Sequence, residues 1–306
     1  NGNSTLSLVG DNALEGLVIN NTGGGGNPTV NSFIAGLGTD GKGTLTIGAS
    51  GITATSSNVT TTATLVGRFD FGDDPNTIDV APITVNGVSV APLQATLAIQ
   101  GIVGSDGGIT KTGNGILQLN AQSTFTGDLT VLAGGVNFGS LGNTGIAGNN
   151  VAGSRYSRID LAAGTFLNLN NTDAAIGSLS GSGAVFNQTS APADGQGGAT
   201  GRNFVLGFDG TDSTFSGSFS RWSNVTPNSF QVNKIGAGTM TLTGVSTTTS
   251  ELRVAQGGVT FSDAGTGVFG TNYVLPGATL TLDNSAANVD HRLTGGLGTG
   301  GILALS

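Results

Sequence analysis

Asp70, Asp73, Asp74 and Asp79 form the densest group of ionisable side chains in the sequence, with Arg68 just before them. Carboxylates are hard oxygen donors, and Ca2+ takes about six to eight such oxygens, so these four residues are the candidate metal site and Ca2+ the one cofactor the sequence admits. The competing reading is a solvated turn, because Asp73-Asp74-Pro75-Asn76 consists of turn formers. His291 is the only histidine and there is no cysteine. A lone histidine points to neither a Ser-His-Asp triad nor a His-based metal cluster, and Asp290-His291-Arg292 is expected to be a turn. Lys111 and Lys234 are two of the three lysines and recur in the same local motif; they are either ligand contacts or corner residues that bond carbonyls or an Asp. Trp222 beside Arg221 suits stacking on a sugar ring, or packing. Gly36-Leu37-Gly38-Thr39-Asp40-Gly41 has the composition of one Ca2+-binding nonapeptide but no tandem copies. Gly23 to Gly26 lead into Asn27-Pro28 rather than a Lys-Ser pair, which argues against a phosphate loop. No catalytic residue is assigned.

The elements that carry these residues follow from composition and period. Gly makes up 55 of 306 residues, while charged residues are 9% and aromatics 6%. Ordinary domains have roughly 25% charged residues. No strict Gly triplets occur, so collagen is excluded. Hydrophobic residues reach 37% and fall in short Val/Ile/Leu alternations, which argues against disorder. The net charge is −8, with no basic cluster, a poor match for nucleic acid or an anionic membrane. No apolar run is long enough for membrane insertion as a helix. The absence of Cys removes any disulfide framework and fits a chain that crosses an envelope unfolded. No signal peptide opens the sequence, and both ends keep the strand pattern of the interior, as if cut from something longer.

An internal repeat sets the architecture. Lys111-Thr112-Gly113-Asn114-Gly115-Ile116-Leu117-Gln118-Leu119 matches Lys234-Ile235-Gly236-Ala237-Gly238-Thr239-Met240-Thr241-Leu242, an offset of 234 − 111 = 123. Leu129 and Val131 match Leu252 and Val254, and Gly134-Gly135-Val136 matches Gly257-Gly258-Val259. Farther on, Gly164 matches Gly277, an offset of 277 − 164 = 113. The first copy is thus ten residues longer, and the excess is placed near Ala152 to Arg158, where Arg155, Tyr156 and Arg158 make a bulky polar patch. A weaker echo runs over Gly41 to Gly48. Within each copy, apolar residues two apart are separated by Gly, Asn, Asp or Ser, which is β-structure. Asn-Gly and Asp-Gly hairpin turns do not recur regularly, so a parallel solenoid is favoured over an antiparallel sandwich. Rungs of roughly 20–25 residues stacked about 4.8 Å apart would give about 13 rungs. Leu117, Leu119, Leu129, Val131, Leu242, Leu252 and Val254 should point inward.

The run Gly108 to Leu119, then Ser123-Thr124-Phe125-Thr126-Gly127-Asp128-Leu129-Thr130-Val131, then Ala133-Gly134-Gly135-Val136, closely resembles the autotransporter-associated β-strand repeat. The copy at Lys234 is similar, with Ser250 in place of the Gly that Gly127 supplies. Ala175 to Val185 and Phe215-Ser216-Gly217-Ser218-Phe219 are similar to other recurring passenger segments. The resemblance covers residues 97–306 well and 1–96 loosely. It implies an all-β, right-handed parallel β-helix: one solenoid segment over 1–306, its long repeats starting near 108 and 231, from a longer secreted protein at the surface of a Gram-negative bacterium. The outer-membrane barrel of an autotransporter is not among these residues. The function implied is a structural or adhesive cell-surface rod without catalytic activity. Its partners would be a host or neighbouring-cell surface or a polysaccharide, with end-to-end or lateral self-association. A self-assembling extracellular filament or matrix subunit is the alternative. A β-helix polysaccharide-cleaving enzyme is a more distant one, resting on the Asp70–Asp79 loop.

Overall fold

A computed structural model describes residues 4–32, 43–139, 151–188, 202–220, 230–247 and 251–306. Among the described residues there is no helix; the regular elements are strands. The chain divides into two compact units, residues 1–154 and 155–306. Each is a parallel β-solenoid.

In the first unit, one face is built by Thr5–Ser7, Thr29–Asn31, Ala63–Asp70, Ala95–Gly104, Ile116–Leu119 and Gly135–Phe138, each strand parallel to the next. A second face is built by Asn12–Asn21, Thr44–Ser56, Asn76–Val85, Ile109–Thr112 and Leu129–Val131. The chain visits the faces in turn, so sheet neighbours lie one coil apart in sequence. The longest strands run round a bend and supply a third side: Leu45 is opposite both Asn12 and Phe69, and Phe69 is opposite Val103.

Alternation explains which residues face inward, because successive strand side chains point to opposite faces. Stacking then turns each inward position into a column. Val30, Leu65, Ile99, Leu119 and Phe138 form one column, and Ala63, Leu97, Leu117 and Val136 the next. All nine are buried. Burying each of the larger ones contributes roughly 1.5–3 kcal/mol.

The second unit repeats the plan. One face carries Ile159–Leu161, Leu179–Gly181, Ser213–Phe215, Thr239–Leu242, Gly258–Phe261, Thr279–Leu282 and Ile302–Leu305. Another carries Asp173–Ile176, Arg202–Leu206, Phe230–Lys234, Glu251–Val254, Thr266–Val274 and Leu293–Thr299. A third carries Phe166–Asn168, Ala184–Phe186 and Ser218–Phe219. Phe204, Phe215 and Phe230 meet Phe219 at ring-centroid distances of 6.4, 5.3 and 6.3 Å, the tilted and edge-on contacts aromatic pairs prefer.

The seven residues expected to point inward, Leu117, Leu119, Leu129, Val131, Leu242, Leu252 and Val254, are all buried in such columns. Rung length varies more than the sequence suggested. Phe166 pairs with Ala184, a step of 184 − 166 = 18 residues, whereas Ala184 pairs with Ser218, a step of 218 − 184 = 34. The strands hold register while the corners absorb the difference. Among the described residues one antiparallel element interrupts the parallel grammar: Asn76–Val85 turns back into Val88–Ser89 through Asn86-Gly87. Both turn residues have positive φ, 51° and 78°, the geometry that Asn-Gly serves in a two-residue hairpin.

Candidate functional site

The strand Ile109–Thr112 places Lys111 between Ile78 of the previous rung and Val131 of the next, an interior column position. The side chain is fully buried. Its stem packs as an aliphatic residue would, and its ammonium turns into the following corner. There Nζ donates to the carbonyls of Thr112 at 3.0 Å, Gly113 at 2.6 Å, Gly115 at 2.8 Å and Ala133 at 2.9 Å. Three N–H donors are shared among these carbonyls; that of Gly115 also accepts from the Gly135 N–H at 3.3 Å.

Lys234 repeats the arrangement in the second unit. It lies between Leu206 and Val254 in an interior column and is buried. Its Nζ donates to the carbonyls of Ile235 at 2.6 Å, Gly236 at 3.0 Å and Gln256 at 3.5 Å. The glycines of the motif correspond too. Gly113 and Gly236 have φ of 72° and 70°, and Gly134 and Gly257 have 65° and 67°. A Cβ at Gly113 would meet the Val80 carbonyl oxygen at 2.4 Å, and one at Gly236 would meet that of Gly207 at 1.9 Å. The motif Lys-x-Gly-x-Gly is therefore a corner: the glycines let one rung's backbone touch the next, and the lysine ties the carbonyls together.

Burial pushes the Lys111 ammonium down from its ordinary 10.5 to about 8, with Asp79 acting in the opposite direction. Lys234 is lowered for the same reason, opposed by Asp209 and Asp212. Of the two readings the sequence offered, the structure places both lysines as corner residues on carbonyls.

Other corners use different donors for the same task. Asn76 occupies an interior position opposite Ile109, and its Nδ2 donates to the carbonyls of Ile47 and Gly48 at 3.2 and 2.8 Å. Asn272, in the column of Val232 and Leu252, donates to those of Thr294 and Gly296 at 3.1 and 3.3 Å. Arg292 is buried and donates to Asn284 Oδ1 and, at 2.9 Å, to the Gly265 carbonyl. Sequence reasoning missed these three; for the two asparagines, an Asn at a position where the strand alternation calls for an apolar residue was the available signal.

The four aspartates do not converge. Asp70 ends a strand and its Oδ1 accepts from the Gly72 N–H at 3.0 Å. Asp79 stands on another strand and its Oδ1 accepts from the Thr112 hydroxyl at 2.8 Å. Asp73 and Asp74 are exposed in the bend between them. The turn sequence separates the carboxylates, and among the described residues no group of three or more His, Asp or Glu side chains is placed to hold a metal ion. His291 is exposed, with φ 54° in a turn. It lines a half-open cavity of about 300 Å³ together with Leu282, Asn284 and Arg292. Gly23 to Gly26 form bends between strands. Arg221-Trp222, Ser250 and the Gly36–Gly41 segment lie outside the described residues.

Arg155 and Tyr156 turn a corner before Ile159–Leu161. The Arg155 guanidinium lies 5.1 Å from the Phe208 ring centroid. On another face, Arg253 sits 5.4 Å from the Tyr273 centroid and pairs with Glu251 at 2.5 Å. Compared with protein-family models, with curated proteins and with solved structures, the chain matches none.

Proposed function

We propose that the chain is a segment of a structural or adhesive surface rod, of the kind carried by Gram-negative autotransporter passengers, and that it has no catalytic activity. The observation that carries this reading is the use of Lys111 and Lys234. The motif that resembles the passenger repeat turns out to be a backbone lock, with both ammonium groups bonded to carbonyls inside the coil. A chain whose repeated motif makes corners, and whose columns of side chains continue from rung to rung, is specialised for length and rigidity. A right-handed coil fits that reading, since parallel crossover connections favour that hand. The rod would stand outside the cell and meet a host or neighbouring-cell surface.

Two measurements test it. Antibodies raised against the chain should label intact cells of the producing bacterium, and brief protease treatment of those cells should remove the signal. Labelling confined to lysed cells overturns the surface assignment. Incubation with acidic and neutral polysaccharides, with and without Ca2+, should release no new chain ends. Turnover that is lost in Asp73→Ala or Asp74→Ala replaces the rod with an enzyme.

A further inference from the structure

The second unit carries one arginine whose setting the corner architecture does not explain. Ile159–Leu161, Leu179–Gly181 and Ser213–Phe215 are neighbours in that order on one face. The corners leading into them differ greatly in size. The middle one is Gly177-Ser178, both buried, where a Cβ on Gly177 would meet the Ser157 carbonyl oxygen at 2.7 Å and Asp209 Oδ2 at 2.8 Å. On one side of this low corner stands the corner with Arg155 and Tyr156, and on the other the corner with Phe208 and Asp209. Arg155 reaches over the low corner to stack on Phe208, its guanidinium carbon 5.1 Å from the ring centroid.

Three features of this notch point to a ligand. The Arg155 Nε is buried and has no hydrogen-bond partner, although an uncompensated buried N–H of a charged group is expensive. The guanidinium lies over the Phe208 ring and carries the planar fork of N–H donors that matches a carboxylate. Both rings at these corners are open to solvent: Tyr156 is 63% exposed and Phe208 39% exposed. Asp209 adds an acceptor, its Oδ1 held by the Thr211 N–H at 3.0 Å. The corner falls within the span from Phe138 to Gly164, over which the first long repeat runs ten residues longer than the second, and insertions into solenoid repeats map to loops on one face, often the binding face.

We propose that Arg155, Tyr156, Phe208 and Asp209 form a binding site for an acidic polysaccharide, with Arg155 taking a uronate carboxylate. A pyranose presents an apolar face to the Tyr156 ring, hydroxyls that donate to Asp209, and a carboxylate that accepts from Arg155. A bare anion offers nothing to Asp209, and an acidic peptide offers no ring face to Tyr156. The site goes beyond the surface-rod reading and stands or falls without it.

Binding to alginate, a uronate polymer, is measured by affinity electrophoresis and calorimetry on the full chain. The controls are alginate esterified to neutrality, poly-glutamate and sodium acetate. Alginate should bind and all three controls should bind at least about tenfold more weakly. Arg155→Gln should weaken alginate at least about tenfold, and Arg155→Lys nearly as much, because an ammonium keeps the charge without the stacked fork. Tyr156→Ala, at an exposed position, provides a second reading if the arginine variants fail to fold, and should weaken binding several-fold. The proposal is overturned if alginate does not bind, if the esterified polymer or poly-glutamate binds as well, or if binding survives Arg155→Gln or Tyr156→Ala in a folded chain.

Discussion

Lys234 donates to the carbonyls of Ile235, Gly236 and Gln256 as Lys111 donates to those of Thr112, Gly113 and Ala133, at one, two and twenty-two residues onward in each case. The partner at twenty-two residues lies one rung away, just after Val254 or Val131, the residue each lysine stacks on. Each ammonium therefore closes its own corner and ties it to the next.

Replacing Lys111 with Met keeps the buried stem and removes the ammonium. Its carbonyls then lose a charged donor, and bonds to charged groups contribute about 1.5–3 kcal/mol each, while the Gly115 carbonyl keeps the Gly135 N–H. Chemical denaturation at pH 7 should show Lys111→Met less stable by about 2–4 kcal/mol. Lys234→Met should lose less, since one of its three bonds is long, at 3.5 Å. A loss under about 1 kcal/mol at Lys111 would show that the corner holds without its lysine.

The same lysine makes stability depend on alkaline pH. Burial lowers its pKa in the folded chain to about 8, against 10.5 for an unperturbed lysine. Between these values the unfolded chain binds more protons, so the unfolding free energy rises with pH. That contribution is complete above about 10.5 and is lost as pH falls through about 8. Burial lowers Lys234 in the same direction. Urea titrations from pH 7 to 11 should therefore show a rising component, at most about 3 kcal/mol from Lys111, that is smaller in Lys111→Met. A variant with the same pH slope as the parent contradicts the shift.

Ca2+ provides a third test. With Asp70 and Asp79 on separate strands and engaged by Gly72 and Thr112, adding millimolar Ca2+ or removing it with a chelator should move the melting temperature by less than about 1 °C. Any ion bound by the fold would raise it in proportion to the logarithm of its concentration. A rise of several degrees that Asp73→Asn and Asp74→Asn abolish would restore the acidic loop as a metal site.

The columns were legible because alternation and a fixed offset act on neighbouring residues: Leu117 and Leu119 read as inward from spacing alone, and their register on Val136 and Phe138 follows from stacking. The hairpin at Asn86-Gly87 was legible in principle, since that dipeptide is a strong local signal. A single hairpin inserted in a parallel coil lacks the regular recurrence that marks an antiparallel sandwich. The lysine corners were half legible. Equivalence of Lys111 and Lys234 showed in the repeat, but one bond of each crosses to a carbonyl one rung away, a distance no local pattern encodes. Arg155 on Phe208 was not legible at all: the residues are 208 − 155 = 53 positions apart and belong to corners of unequal length, with no period to link them. The aspartates are close in sequence, but Asp70 and Asp79 stand on separate strands, which their spacing alone does not reveal.

Two glycines separate backbone strain from steric contact. Gly277 has φ 85°, and a Cβ added there would have no atom within 4 Å, so Gly277→Ala meets conformational strain alone. The left-handed region costs an L-residue roughly 1–2 kcal/mol, and that should be the whole effect. Gly236 has nearly the same conformation, φ 70°, but a Cβ there would stand 1.9 Å from the Gly207 carbonyl oxygen, on the backbone of the rung below. Backbone cannot swing aside as a side chain can, so the rungs must part and the Lys234 bonds to the carbonyls of Ile235 and Gly236 must shift. Overpacking of this kind adds about 1–3 kcal/mol or more to the strain. Gly236→Ala should therefore be at least about 2 kcal/mol less stable than Gly277→Ala in denaturant titration, and should expose the amides of Ile235 to Gly238 to faster hydrogen exchange. Equal losses at the two positions would mean that rung contact at the lysine corner is slack, and the corner would then not be the lock that its hydrogen bonds describe.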